Sequence, residues 1–265
     1  MEKIIIPPTP DIIKVCDLLD QLIHNLLEAR DTITKWGEFE APVECLNLMY
    51  LMSRNVESIT LIARHDLVLL PSAIHLTRSV FEMAIKVLWM LQPSNDMERE
   101  VHWLAQLQTE VSYFERSSKR LRELEVDDSD VVATRDGISS FMNEVIKVLP
   151  EPYKPLLQIP NMDEMMRTIG ERDKYLAYMY MSQYSHGTHV ATGMYRRGFG
   201  NDAVFGEYIK PNDWWSVFSL CWYSFAKSGN RVLEILGGDV DKFYTNDFIL
   251  EIQSTILNIK AKGSE

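Results

Sequence analysis

Residues 71–92, PSAIHLTRSVFEMAIKVLWMLQ, spread apolar side chains over every side of a helical wheel. That pattern predicts a helix enclosed by other helices rather than one lying on a surface. The same stretch nevertheless carries Arg78 and Glu82 one turn apart, with His75 and Lys86 near the same stripe. Arginine and glutamate are rarely buried unless paired, because each ion gives up several kcal/mol of hydration that only a partner restores. A polar pair inside an apolar central helix is therefore the feature around which the rest is organised.

Working outward, every long segment repeats apolar residues in steps of three and four. Ile12, Cys16, Leu19, Ile23 and Leu26 mark a first helix running to about Trp36, and residues 37–42 make a turn. Cys45, Met49, Met52, Val56, Ile59 and Ala63 mark a second, antiparallel to the first. Pro71 suits the first turn of the central helix, and Gln92, Pro93 and Ser94 end it. A fourth helix is expected from about Asp96 to Leu124, with its highly charged end, ERSSKRLRELEVDDSD, in solvent. A fifth spans Asp130 to Val148 before the proline-rich LPEPYKP, and a short one covers Glu164 to Thr168. The segment ERDKYLAYMYMSQYSHGTHV starts another at Glu171, Asn212 or Asp213 caps a tryptophan-rich helix ending near Leu236, and Asp239 to Lys260 closes the chain. No segment alternates with period two. The expectation is an all-α fold: a single domain over residues 1–265, a bundle of about seven to nine helices around the helix at 71–92.

The formal net charge of -11 repels nucleic acid and anionic membrane surfaces, so any RNA or nucleotide site must be a local pocket. Cys16, Cys45 and Cys221 stand far apart in apolar surroundings. They read as reduced core residues of a cytoplasmic protein, not as a disulfide framework or zinc site. The N-terminal apolar run is too short for a signal peptide, and the uncharged run Trp214 to Ala226 too short to span a bilayer, so no membrane role is expected. The helix containing WWSVFSLCWYSF has more large apolar faces than one neighbour can cover, which points to a homodimer.

Two constellations carry chemistry. Tyr175, Tyr178, Ser182, His186 and His189 fall on one face of a continuous helix. Imidazole can switch charge near neutral pH and a tyrosine hydroxyl can orient it; the bland alternative is a wet seam between helices. Arg78 and Glu82 either lock two helices in register or present a fixed fork of donors to a phosphate or carboxylate. The loop MYRRGFGND adds Arg196 and Arg197, able to cover an anionic ligand, although its G-x-G follows no strand and is no dinucleotide fingerprint. His186 and His189 lack the Glu-x-x-His partners of a dimetal site, and no nucleophile motif is present, so neither metal nor cofactor is expected.

The segments TRSVFEMAIKVLW and YMYMSQYSHGTHV together resemble a family of uncharacterised bacterial all-helical domains that pairs an R-x-x-x-E helix with a distal Y-x-x-x-S-x-x-x-H helix. Those positions here are Arg78 and Glu82, then Tyr178, Ser182 and His186. The family is in turn distantly similar to the HEPN superfamily, many of whose members are RNases of toxin and antiphage systems. The resemblance implies metal-independent RNA or nucleotide cleavage, with His186 as acid or base, Arg78 stabilising the phosphorane, and His75 and His189 in support. The chain lacks the HEPN spacing of an arginine four to six residues before a histidine, so Arg78 and His186 must meet from different helices. The other readings are a non-catalytic binder or sensor of a small anionic ligand, and a structural or interaction protein.

Overall fold

Helix α3, Leu70–Met90, is the centre of the bundle. In the computed structural model, which describes residues 4–37, 39–151, 153 and 159–262, it packs against α2 (Glu40–His65), α4 (Asp96–Glu123), α6 (Met162–Thr168), α7 (Tyr175–Ser185) and α9 (Trp215–Leu236). Its apolar residues sink on most sides, as the wheel required: Ala73, Ile74, Val80, Phe81, Ala84, Val87 and Trp89 are all buried. One edge is different. His75 is exposed, and Arg78, Glu82 and Lys86 are only half-buried, so the central helix has a polar seam reaching solvent instead of a sealed ion pair.

The fold is all-α, with nine helices of seven or more residues among the described residues. The remaining members are α1 (Pro10–Arg30), α5 (Ser129–Val148), α8 (His189–Thr192), α10 (Val240–Phe243) and α11 (Asn246–Ala261). A small hairpin joins β1 (Arg196–Arg197) to β2 (Val204–Phe205). By length and composition Leu67–Met90 is apolar enough to cross a membrane; here it is the helix most surrounded by others.

Several helices end where a tertiary partner takes over a backbone group. Thr9 caps α1 at Ile12, but α1 stops at Arg30 and not at Trp36, because the N–H groups of Thr34 and Lys35 donate to the Leu236 carbonyl at the end of α9. Gly237 ends α9 at φ +68, and a Cβ there would lie 2.6 Å from Thr34 Oγ1. The last expected helix is two, because Tyr244 is extended and Thr245 caps α11 afresh. The break lets Phe243 lie under Gly229 of α9, where a Cβ would come within 2.6 Å of the ring. The proline-rich segment after α5 falls partly on residues 152 and 154–158, outside those described; Leu149 already leaves the helix in an extended conformation.

The aromatic helix packs largely inside the bundle. Trp214, Phe218, Cys221 and Phe225 are fully buried, the Trp214 indole donates to the Leu67 carbonyl at 3.0 Å, and α2, α3, α1 and α11 all pack on α9. Most of its large apolar side chains are covered within one copy, while Trp215 and Leu220 stay half-buried. Helices α4 and α5 form an arm with a satellite core of Leu104, Val111 and Met142; Met142 is the one buried residue of α5.

Candidate functional site

The two polar faces singled out in the sequence do face each other. His75 Nδ1 lies 3.2 Å from Ser185 Oγ, and Arg78 Nη2 lies 3.5 Å from the Tyr178 hydroxyl, the outer limit of a hydrogen bond. Contacts that run 75 to 185 and 78 to 178 make α3 and α7 antiparallel. Arg78 Nε donates to Glu82 Oε1 at 2.8 Å, and its guanidinium stands 5.3 Å from the Tyr178 ring centroid. Ser182 turns inward and donates to the Tyr178 carbonyl at 2.9 Å. The seam thus joins the two helices through a chain of polar contacts.

The expected stripe ends at His186 and does not continue to His189. Helix α7 ends at Ser185, and Gly187 at φ +59 reverses the chain before α8. His186, the capping residue, is exposed and lies two turns, about 12 Å, along the axis from Tyr178. His189 sits on the separate α8, where its Nδ1 lies 3.3 Å from Arg196 Nη2 and its ring 4.6 Å from Phe199. The expected face therefore runs from Tyr175 through Tyr178 and Ser182 to His186 at the cap, and His189 is separated from it on α8.

The neighbouring face of α7 is where space opens. A cavity of ≈ 610 Å³ lies between α7, α3, the start of α9 and the segment running through α8 into the hairpin. From α7 it takes Leu176, Ala177, Tyr180, Met181 and Tyr184; from α3 it takes Leu70, Ile74 and Thr77. Trp215, Val217 and Leu220 close a third side, and Val190, Met194, Arg197 and Tyr208 the fourth. With about 100° between successive residues, the α7 residues on the α3 seam and those on the cavity occupy adjacent faces of the helix. Arg78, Tyr178, Ser182, His186, His189 and Arg196 do not line this cavity; of the sequence candidates Arg197 does.

The cavity mixes apolar walls with a substantial polar set. Tyr180 and Tyr184 hydroxyls are 2.7 Å apart, Asp213 Oδ2 accepts the Lys210 N–H at 2.8 Å, and the Arg197 guanidinium stacks 4.7 Å from the Tyr208 centroid. Burial first, then Tyr180 and the Asp213 charge, push the Tyr184 hydroxyl well above the ordinary tyrosine range, so it stays a proton donor. Tyr180 and Tyr184 were not singled out in the sequence, where the tyrosines of YMYMSQYS compete with the Tyr178–His186 pattern, and Asp213 was named only as a helix cap.

The charges that are truly buried lie elsewhere and hold the frame. Glu100 Oε1 accepts the Ala41 N–H at 2.8 Å, capping α2, and burial raises its pKa above the ordinary value. Arg99 donates to the Pro93 carbonyl at 2.9 Å and to Asp96. Glu171, just before α7, takes Lys227 of α9 on one oxygen and Lys174 at 2.6 Å on the other. Burial works against its charge, but these lysines outweigh it and hold Glu171 below the usual glutamate range. Burial also pushes the thiols of Cys16 and Cys221 up to about 12, so neither is a ready nucleophile. Among the described residues there is no group of three or more His, Cys, Asp or Glu side chains that could hold a metal ion.

Comparison of the chain with protein-family models, with curated proteins and with solved structures finds no match.

Proposed function

We propose that the protein is a non-catalytic binder of a small, largely apolar molecule, held in the cavity between α7, α3 and α9. The observation that carries this reading is the cavity itself. Its ≈ 610 Å³ falls in the usual range of small-molecule sites, and it mixes apolar walls with converging polar groups, as such sites do.

Cleavage of RNA or a nucleotide draws less support. It asks Arg78 and His186 to face a common space. Arg78 Nε and Nη2 are turned to Glu82 and Tyr178, and His186 caps α7 two turns away from that contact.

The test is a fragment library screened by thermal shift and by crystal soaking. Fragments filling the cavity, displaced by the variant Ala177→Trp, support binding. A screen without cavity ligands, or ligands seated on the Arg78–Tyr178 seam, argues against it, and specific RNA cleavage lost in both Arg78→Met and His186→Ala would replace it.

A further inference from the structure

Two donors of the cavity lack a protein acceptor among the described residues, the Arg197 guanidinium and one of the paired tyrosine hydroxyls. Arg197 is exposed at the mouth, and its stack on Tyr208 is the one contact its charge makes among the described residues. Tyr180 and Tyr184 share a single hydrogen bond; whichever hydroxyl donates, the other keeps a proton without an acceptor. By contrast, the hydroxyls of Thr77 and Ser216 already donate to the carbonyls of Ala73 and Asp213, at 2.8 and 3.2 Å.

The two ends of the cavity differ. Tyr180, Arg197, Leu176 and Val190 are exposed and form the mouth, while Ile74, Met181, Tyr184 and Val217 are buried at the floor. Asp213, the one acidic lining residue, is felt by the buried Tyr184. An anionic group therefore fits best at the mouth beside Arg197, with an apolar body directed inward. A guanidinium matches a carboxylate through two parallel N–H donors. A phosphate monoester, with roughly two negative charges, would meet one cation with Asp213 in the same cavity.

We propose that the cavity takes an aliphatic monocarboxylate, its head held by Arg197 and Tyr180 at the mouth and its chain laid on Ile74, Met181, Val217 and Leu220. The carboxylate specificity rests on the cavity-binding reading above and adds the ligand's chemical class to it.

The experiment is calorimetric titration of the full chain with octanoate, octan-1-ol and octylamine, which share a chain and differ in head group. Octanoate is expected to bind at least about tenfold more tightly than the other two, the difference a hydrogen-bonded charge contributes. Arg197→Met should lower octanoate affinity to that of octan-1-ol and leave octan-1-ol unchanged; Tyr180→Phe should weaken octanoate by a smaller factor. Equal binding of octanoate and octan-1-ol, or unchanged octanoate affinity in Arg197→Met, overturns the carboxylate while leaving the cavity a binding site. So does a cavity that accepts fragments in crystals but no octyl compound. Octanoate binding that survives Ala177→Trp places the molecule elsewhere and overturns both readings, as does a chain that binds no small molecule and sediments as a dimer through the cavity mouth.

Discussion

Helix α7 presents one polar face to α3 and another, with two tyrosines among apolar residues, to the cavity, and the two differ in the space left beside them. On the α3 side, Arg78 has Glu82 and Tyr178, Ser182 has its own helix, and His75 has Ser185. On the cavity side, Arg197 and one tyrosine proton lack protein acceptors among the described residues, and the walls border open space. Residue type tells where hydrogen bonds must be made; whether they are already made decides between scaffold and site.

The largest effect should come from unpinning α7 itself. Glu171→Ala removes the carboxylate that joins the start of α7 to Lys227 of α9. Breaking a fully buried pair costs about 3 to 5 kcal/mol, but Lys174 and Lys227 are 27% and 44% exposed and can turn to water, so roughly 2 kcal/mol is expected by urea unfolding. The same group sets a pH dependence. Its folded pKa lies below the unfolded one, so its stabilisation is present above the ordinary glutamate pKa and is lost as pH falls through the folded value. Glu171→Gln should therefore melt lower than wild type near neutrality and flatten the decline of melting temperature in acid.

The α3 seam should respond less. Its pair is partly solvated, with Arg78 21% and Glu82 33% exposed, so Glu82→Ala should cost about 0.5 to 1 kcal/mol rather than the 3 to 5 expected of a sealed pair. A loss above about 2 kcal/mol would show that the seam is closed to water and would restore the buried-pair expectation.

The smallest effects separate the remaining surfaces. Ala177→Trp projects into open space and should change stability by less than about 1 kcal/mol while removing ligand binding. His186→Ala, at an exposed cap, should stay within about 0.5 kcal/mol of wild type in the same unfolding assay. A large drop in His186→Ala would reveal a structural contact for the imidazole and reconnect it to the seam.

How legible this was depended on how local the cause is. The apolar period of three and four marked α1, α2 and α4, because each buries a stripe of its own residues, and α3 was marked by apolar residues on all its sides. The early end of α1 was invisible, since its stop comes from the Leu236 carbonyl, more than two hundred residues away. Glu100 shows nothing in the sequence of its use, which is to cap α2, 59 residues earlier. The pairing of the Arg78 and Tyr178 faces followed from polar groups needing partners, but Gly187 inside the expected helix was passed over, and with it the separation of His189. The cavity had no signature of its own, because space is a property of how walls meet and not of any residue lining them.

The most direct measurement is calorimetric titration of octanoate into two variants side by side, Ala177→Trp on the cavity face of α7 and Arg78→Met on the seam. Binding abolished in Ala177→Trp and kept at wild-type affinity in Arg78→Met is the predicted result. Binding kept in Ala177→Trp and abolished in Arg78→Met would contradict it and return the function to the seam.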